Sequence, residues 1–156
     1  MIEVKDIKKS FGDAQILKGI STTFEAGKTN LIIGRSGSGK TVLLKTLLGI
    51  HTPDEGTISF NGKIYSELSK DEKRELRTEI GMVFQGSALF DSMTVEENVG
   101  FPLKMFTNKK KNEIRDRVNQ VLERVNLVDA NNKYPSEISG GMQKRVAIAR
   151  AIVNNP

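Results

Sequence analysis

Apolar residues in the first half of the chain alternate with polar ones or form short runs, and both patterns predict β-strands. IEVKDIKKSF (2–11) and ILKGISTTFEAG (16–27) alternate, while TNLIIG (29–34) is a short apolar run. TISFNGKI (57–64) predicts another strand, and IGMVFQ (80–85) predicts a short buried one. The sequence therefore predicts strands at five places along the chain.

Helical spacing of apolar residues predicts three helices between and after these strands. The first is KTVLLKTLLGI (40–50), and the second is the charged segment KDEKRELRTE (70–79). The third starts at a capping box formed by Thr94 and Glu97, and Pro102 should bend or interrupt it. Its apolar side is predicted to carry Val95, Val99, Leu103 and Phe106.

Two further helices have well-defined apolar faces near the end of the chain. The first begins after Lys109–Lys111, which we interpret as a solvated cluster, and the second has Arg145 and Arg150 available for its polar face. The two apolar faces consist of Ile114, Val118, Val121, Leu122 and Val125, and of Met142, Val146, Ala149, Ile152 and Val153. The alternation of strand and helix segments predicts an α/β protein.

Composition narrows the possible chemistry. There are 24 Lys and Arg residues against 19 Asp and Glu residues, so a net charge of +5 is compatible with nucleotides, nucleic acid or lipid headgroups as partners. The absence of cysteine excludes disulfides and thiolate metal sites, and the single histidine argues against a histidine metal cluster. We interpret His51 as a solvated loop residue. No secretory signal or membrane-span pattern appears, so we expect a cytoplasmic protein that reaches membranes through a partner.

The segment GRSGSGKT follows the third predicted strand and precedes a helix, as a phosphate-binding loop does. Gly37 and Gly39 let the backbone curl so that its N–H groups face phosphate oxygens. Lys40 would reach the outer phosphates, and the Thr41 hydroxyl would bind Mg²⁺. The candidate nucleotide-binding residues are Gly34, Arg35, Ser36, Gly37, Ser38, Gly39, Lys40 and Thr41. The motif alone does not distinguish a kinase, a GTPase and a transport ATPase.

A second glycine pair stands at the start of the last predicted helix. Ser139, Gly140 and Gly141 precede its apolar positions. A helix N-terminus has free N–H groups and a partial positive charge, and the missing side chains allow an anion to approach closely. We therefore predict an anion-binding site at residues 139–141.

Together, GRSGSGKT, GMVFQ and SGGMQKR resemble the nucleotide-binding domain of an ABC ATPase, and the resemblance covers essentially the whole chain. It implies a P-loop NTPase fold of α/β class, with an N-terminal antiparallel β part and an α-helical subdomain. The implied parts are 1–84, 85–138 and 139–156. It also implies that Ser139, Gly140 and Gly141 contact the γ-phosphate of ATP held by a second, head-to-tail subunit.

The resemblance assigns ATP and Mg²⁺ to further residues. Phe11 matches the aromatic residue that stacks on adenine, and Gln85 matches the glutamine that senses Mg²⁺ and the attacking water. Thr41 and Gln85 are therefore the expected metal-site residues. The chain departs from the commonest signature at Met142, where a glutamine is usual, so a polar contact from that side chain is not expected.

In the family, the signature helix leads to a strand that ends in an Asp and a Glu, which order Mg²⁺ and activate water. The chain ends at Pro156, before the positions of both carboxylates. The resemblance thus implies a domain incomplete at its C-terminus, which lacks its catalytic residues, has Gln85 only in support, and is expected to hydrolyse ATP poorly and to be unstable alone. His51 does not correspond to the family's switch histidine.

Within the family, GMVFQGSALFDSMTVEENVGFPL (81–103) and ISGGM are most similar to the ATPase subunits of Mla-type bacterial lipid transporters. This similarity implies a membrane permease partner and a position on the inner face of the cell membrane. Residues 87–91, from Ser87 to Asp91, are the candidates for contacting the permease. The transported substrate, its direction and the identity of the permease do not follow from these residues.

Two other classes of function remain as alternatives. A nucleic-acid-associated ATPase of the same superfamily would suit the positive charge, but only about 100 residues separate Thr41 from Ser139 and no sustained heptads occur there. We therefore expect no nucleic-acid partner. The second alternative is a non-hydrolytic module that binds ATP and docks through its signature surface on a complete partner.

Overall fold

The computed structural model describes all 156 residues, and they form two compact units, Met1–Lys73 and Arg74–Pro156. The first unit contains an antiparallel sheet and the phosphate-loop helix. The second unit is helical. The predicted division into 1–84, 85–138 and 139–156 stays a prediction.

The sheet of the first unit has four strands in the order β2-β1-β3-β4. The strands are β1 (Ile2–Phe11), β2 (Ala14–Phe24), β3 (Glu55–Phe60) and β4 (Lys63–Ile64), and each neighbouring pair is antiparallel. The strands bury Val4, Ile7, Leu17, Ile58 and Phe60. Ile58 and Phe60 alternate as strand residues do, whereas an irregularity in β1 between Val4 and Ile7 lets two residues three positions apart both be buried. The predicted N-terminal antiparallel β part is confirmed.

The prediction of one continuous strand over 57–64 is wrong, because Asn61 and Gly62 form a two-residue hairpin turn between β3 and β4. Both residues have positive φ, at 50° and 83°. Asn-Gly is the residue pair that such a turn favours, since its twist matches that of the flanking strands.

Two further strand predictions are wrong, for residues 29–34 and 80–85. Both segments lie outside the four-stranded sheet and have no regular secondary structure apart from a turn at Gln85. Several of their apolar side chains are open to solvent, with Leu31 83% and Ile33 81% exposed in the first segment, and Val83 51% and Phe84 43% exposed in the second. Apolar character indicates a preference for burial, whereas a strand also needs a neighbour that completes its backbone hydrogen bonds.

Five α-helices are present at the predicted places. They are α1 (Lys40–Leu47), α2 (Lys70–Thr78), α3 (Val95–Phe106), α4 (Lys111–Arg124) and α5 (Gly140–Ile152). Single 3₁₀ turns lie at Tyr65–Glu67 and Pro135–Glu137. None of these helices has the length and the continuous apolar sequence needed to cross a lipid bilayer.

The core of the second unit lies between α3, α4 and α5. It is built from the predicted apolar faces together with the following loops, namely Val95, Val99, Leu103, Ile114, Val118, Val121, Leu122, Leu127, Ala130, Ile138, Val146, Ala149 and Val153. Phe106 was predicted on this side of α3 but is 45% exposed. It is the last residue of its helix, where the chain leaves the core.

The N-terminus of α3 has the predicted capping box. The Glu97 backbone N–H donates to Thr94 Oγ1 at 3.3 Å, and the Thr94 N–H donates to Glu97 Oε2 at 2.9 Å. Pro102 was predicted to bend or interrupt this helix. It does not interrupt it, because the helix runs on to Phe106, and the bend stays a prediction. Burial of apolar residues on both sides of the proline offsets the missing backbone hydrogen bond.

Candidate functional site

The phosphate loop of the first unit turns sharply before α1. Gly37 and Gly39 both have positive φ, at 79° and 91°, and Gly39 caps the helix. A Cβ atom on Gly39 would lie 3.0 Å from Ile16 Cγ2 and 3.2 Å from Leu17 Cδ2. Glycine is therefore required at position 39 both by backbone conformation and by the close approach of β2.

The Lys40 side chain bends back over this loop. Its Nζ donates to the carbonyl oxygens of Gly34 and Arg35, at 2.8 Å and 2.7 Å. The backbone N–H of Ser38 also donates to the Arg35 carbonyl, at 3.2 Å, which closes the turn. The loop thus surrounds a cation at the N-terminus of a helix, and this arrangement favours an anion of phosphate size.

The remaining residues of the loop face solvent. Arg35, Ser36 and Ser38 are exposed, and Thr41 is exposed in the first turn of α1. An exposed hydroxyl next to the loop cation is compatible with the metal ligand that the sequence predicts at Thr41. Backbone N–H groups and Lys40 can bind a phosphate group, and the Thr41 hydroxyl can bind the metal ion that accompanies it. The predicted ATP and Mg²⁺ therefore fit this loop.

Phe11 ends β1 next to the two-residue turn that leads into β2, and it is 46% exposed. It is therefore not a core residue, and part of its side chain is open to solvent for a stacking partner. The ring of His51 meets it edge-on, with 5.2 Å between centroids and an interplanar angle of 75°. The Lys9 ammonium lies 5.5 Å from the Phe11 centroid and also pairs with Asp54 at 2.7 Å.

His51 lies in the loop after α1, as predicted, but it is half-buried and not simply solvated. Its backbone N–H donates to the Lys45 carbonyl at 3.2 Å, so it closes the end of α1 while its ring packs on Phe11. The contact links the phosphate-loop helix to the candidate adenine platform. No feature of the sequence indicated it, since the partners are far apart along the chain.

The second glycine pair lies at the start of α5, in the second unit. Ser139 is the N-cap residue, and its hydroxyl accepts from the Met142 N–H at 3.3 Å. Gly140 and Gly141 are exposed in the first turn. A Cβ on Gly140 would meet nothing within 4 Å, and one on Gly141 would touch only Ser139 Oγ at 3.9 Å. The Met142 side chain packs against the helical core.

Gln85 is exposed. The residues that follow it, 86–93, lead to α3, and we call them the 86–93 loop. Ser87 and Ala88 have positive φ, at 63° and 47°, and Ser87 is buried. Two residues other than glycine in this conformation need support from the surrounding structure. Two side chains from the helices provide it.

The first support is Arg150, near the end of α5. Its Nη2 donates to the Ser87 carbonyl and its Nη1 to the Ala88 carbonyl, both at 2.8 Å. The guanidinium carbon also lies 6.0 Å from the centroid of the Phe90 ring. Burial lowers the pKa of Arg150, yet an arginine in a protein keeps its charge.

The second support is Asn98, a fully buried residue of α3. Its Oδ1 accepts from the Phe90 N–H at 2.8 Å, and its Nδ2 lies 3.0 Å from each of the carbonyl oxygens of Phe90, Met93 and Thr94. No sequence motif marks Asn98. Its signal was a polar residue within the apolar face that Val95 and Val99 define.

A groove of about 430 Å³ lies next to the 86–93 loop, within the second unit. We call it the aromatic groove, and we define it by Phe84, Phe90, Phe101 and Phe106, with Arg150 at its edge. Phe84, Phe90 and Phe106 are 43%, 42% and 45% exposed. Arg77 also lines the groove, so two arginines accompany the aromatic rings. A partly open aromatic groove with arginines in its lining is typical of a protein-binding surface.

Comparison with known protein families identifies the family of this chain. The model of the family described as "ABC transporter" matches residues 17–156. The chain belongs to this ABC transporter family. The match includes the phosphate loop, Gln85 and the signature residues 139–141 of this ABC cassette.

Curated relatives are similar over nearly the entire cassette. It is 44% identical over 155 residues to the probable ribonucleotide transport ATP-binding protein mkl of Mycobacterium leprae, covering 99% of this chain and 45% of that protein. It is 46% identical over 154 residues to protein trigalactosyldiacylglycerol 3, chloroplastic, of Arabidopsis thaliana, covering 98% and 44%. It is 42% identical over 156 residues to the methionine import ATP-binding protein MetN of Clostridium tetani, covering 100% and 49%. The cassette therefore spans less than half the length of these relatives.

Solved structures confirm the predicted fold class. The cassette superposes on a dimeric post-hydrolysis state of the ATP-binding cassette MJ0796, bound to ADP and Pi, with a TM-score of 0.88. The two are 34% identical, and the match covers 100% of this chain and 71% of that chain. The ABC-type P-loop fold is thus confirmed.

Proposed function

We propose that this ABC cassette is the ATP-binding subunit of a transporter and that it closes head to tail on a second cassette over bound ATP. Its phosphate loop would hold the nucleotide, and the partner's signature residues would cover the γ-phosphate. Closing and reopening would then drive a membrane permease between its states.

The observation that carries the proposal is the open space at Gly140. Neither its φ nor its surroundings within the cassette require glycine, because no atom lies within 4 Å of an added Cβ. Glycine at an exposed helix N-terminus nevertheless suits the close approach of an anion from outside the fold. The solved cassette that this one resembles is described as a dimer bound to ADP and Pi, which supports a second cassette as the source of that anion.

Gly140→Asp tests the proposal directly. A carboxylate at this position would repel the γ-phosphate without disturbing the fold, so we expect unchanged ATP binding and loss of ATP-dependent dimerisation in sedimentation experiments without Mg²⁺. Gly86→Asp is the matched control, since Gly86 is also exposed and surrounded by open space. ATP-dependent dimerisation of Gly140→Asp at the wild-type level would refute the head-to-tail arrangement.

Within one cassette, we assign the parts of ATP to different residues of the first unit. Adenine would stack on the open part of Phe11, and the phosphates would exchange with the contacts that Lys40 makes to Gly34 and Arg35. Mg²⁺ would neutralise the phosphate charge, with the Thr41 hydroxyl as one ligand. Gln85 belongs to the second unit and stays a predicted metal-site residue.

Residues 1–156 on their own should bind ATP and hydrolyse it slowly. The hydrogen bonds of Lys40 end on backbone carbonyls, and none of the hydrogen bonds or ion pairs of the phosphate loop involves a carboxylate that could activate water. The purified polypeptide should therefore show ATP binding with little phosphate release. Rapid release that disappears in Lys40→Ala would refute this expectation.

We further propose that Ser87–Asp91 and the aromatic groove contact the permease, at the inner face of the cell membrane. Exposed aromatic rings beside the half-buried Arg150 suit a short helix of a partner. Asp91→Lys should weaken co-purification with the permease, and Asp116→Lys on the exposed side of α4 is the charge-matched control. Equal co-purification of both variants would exclude Asp91 from the interface.

For the substrate class, we propose a lipid. The support is the similarity of residues 81–103 to lipid-transporter ATPases and one relative named after a glycolipid. Other relatives are named for ribonucleotide transport and methionine import. ATP hydrolysis by the complex in phospholipid nanodiscs should therefore respond to lipid composition. A response only to added ribonucleotide or methionine would replace the lipid assignment.

A further inference from the structure

Helix α5 carries the predicted signature residues at its start and Arg150 in its last turn. Ser139, Gly140 and Gly141 lie at its start, and Arg150 follows Ser139 by eleven positions, which is about 16 Å along a helix. The intervening residues Val146, Ala147 and Ala149 are fully buried, so packing stiffens the helix along its length. A displacement at its start is therefore carried to its end as a rigid movement.

Arg150 connects that end to the 86–93 loop with a bidentate contact. Two guanidinium nitrogens each donate to a different carbonyl oxygen, those of Ser87 and Ala88, at 2.8 Å. Both carbonyls belong to residues with positive φ. The planar fork of arginine fits two adjacent carbonyl groups, and a lysine would supply only a single point of charge.

The other end of the loop is held separately. Asn98 of α3 is fully buried and accepts a hydrogen bond from the Phe90 N–H at 2.8 Å, and its Nδ2 lies 3.0 Å from each of the carbonyl oxygens of Phe90, Met93 and Thr94. The loop is thus fixed to α3 at its C-terminal side and to α5 at its N-terminal side. Any movement of α5 relative to α3 has to change the shape of the loop between them.

We propose that Arg150 is a positioning residue that transmits the movement of the signature helix to the 86–93 loop. When residues 139–141 engage ATP on the partner cassette, α5 shifts and Arg150 pulls the carbonyls of Ser87 and Ala88 with it. The loop and the edge of the aromatic groove then change shape together. This inference rests on the proposed ATP-dependent dimer and adds the route by which dimer closure reaches the permease-facing surface.

Arg145 provides a matched control on the same helix. It is exposed, and its Nη1 donates to the Asn126 carbonyl at 3.1 Å and lies 3.5 Å from that of Val125. Removing it deletes an arginine and a contact to backbone carbonyls from α5 without touching the 86–93 loop. Differences between Arg150→Ala and Arg145→Ala therefore report the loop contact and not the loss of charge from the helix.

The experiment is amide hydrogen exchange of residues 86–93 in the full-length protein, with and without saturating ATP in the absence of Mg²⁺. Wild type and Arg145→Ala should show an ATP-dependent change in loop exchange. Arg150→Ala should bind ATP and dimerise like wild type, yet lose that change, and Arg150→Lys should retain only part of it. Should Arg150→Ala fail to fold, Arg150→Lys against Arg145→Lys makes the same comparison.

The outcomes separate this inference from the proposed function. An ATP-dependent change that survives in Arg150→Ala overturns the role of Arg150 while leaving the ATP-dependent dimer intact. A wild-type dimer whose loop exchange does not respond to ATP overturns it as well. Failure of the wild-type protein to dimerise with ATP would instead refute the proposed function, and the inference with it.

Discussion

At the scale of single residues, Phe11 has the environment that a stacking platform needs. Half of it is open to solvent, while His51 packs edge-on and fixes the ring. Stacking of a base on an aromatic side chain contributes about 1–3 kcal/mol. Phe11→Ala should therefore weaken ATP binding by roughly 5-fold to 150-fold in calorimetry.

Two controls make the Phe11 measurement specific. Phe11→Tyr keeps an aromatic face and should bind ATP with nearly wild-type affinity. Inorganic triphosphate lacks the base, so its affinity should be the same in wild type and Phe11→Ala. An unchanged affinity of Phe11→Ala for ATP would remove adenine stacking from the proposed site.

The capping carboxylate Glu97 gives a prediction about acid stability. The hydrogen bond from the Thr94 backbone N–H lowers the pKa of Glu97 below its ordinary value of 4.5. Its contribution to stability is complete above 4.5 and is lost as the pH falls through the lower folded value. The wild-type free energy of unfolding should therefore decline below that pH more steeply than that of Glu97→Gln, as urea denaturation at several pH values would show.

Glutamine suits this comparison because its side-chain carbonyl can still accept the Thr94 hydrogen bond but does not titrate. Identical pH dependence in both proteins would mean that the capping box contributes nothing to acid stability.

The same reasoning applies to Asp54, whose pKa is lowered by hydrogen bonds from Lys9 and then from the Ser10 N–H. Loss of that carboxylate charge would release Lys9 beside Phe11.

At the scale of helices and strands, Gly100 of α3 packs closely against α4. A Cβ there would lie 3.1 Å from Ile114 Cγ2 and 3.4 Å from Val118 Cγ2. Gly100→Leu should force the helices apart and lower the free energy of unfolding by about 1–3 kcal/mol. Urea denaturation measures this effect, and Met105→Leu at an exposed position of α3 is the control.

A Gly100→Leu protein as stable as wild type would show that the α3–α4 contact adapts without cost. A larger loss confined to Gly100→Leu, with Met105→Leu unchanged, would show that this contact organises the helical unit. The comparison does not depend on nucleotide binding.

Helices were predicted well from the sequence because their apolar faces repeat within one segment. The faces of α4 and α5 enter the core as expected, and the capping box at Thr94 is local by nature. Residues 29–34 and 80–85 were predicted wrongly because a strand depends on a partner that its own sequence does not specify. The hairpin turn at Asn61 and Gly62 had a local signal, the Asn-Gly pair, which our strand assignment overlooked.

The candidate site shows the same division. The phosphate loop and the signature segment can be recognised in the sequence because each occupies eight or fewer consecutive residues with a distinct glycine pattern, and the roles of their residues stay predictions. The contacts of Arg150 with Ser87, and of His51 with Phe11, join residues that are distant along the chain. Such contacts arise from tertiary packing, and a single sequence has no periodic pattern that encodes them.

At the scale of the whole molecule, the net charge of +5 requires a test against nucleic acids. We expect neither DNA nor RNA to retard the protein in electrophoresis, even at about 50 mM salt, where phosphate contacts are strongest. Retardation that weakens steeply as salt is raised would reopen the nucleic-acid alternative. The same electrophoresis should be repeated with ATP, because closure of a dimer would change the protein surface that DNA or RNA can reach.

The hydrogen bonds of Lys40 to Gly34 and Arg35 have a consequence for the usual choice of inactive variant. This lysine holds the loop together through two backbone carbonyl oxygens, in addition to the phosphate contact proposed for it. Lys40→Ala would remove both the proposed phosphate contact and the two hydrogen bonds that hold the loop. A defect in that variant therefore combines two losses, and only a comparison of the nucleotide-free proteins can separate a weakened grip on ATP from a loop that has lost its shape.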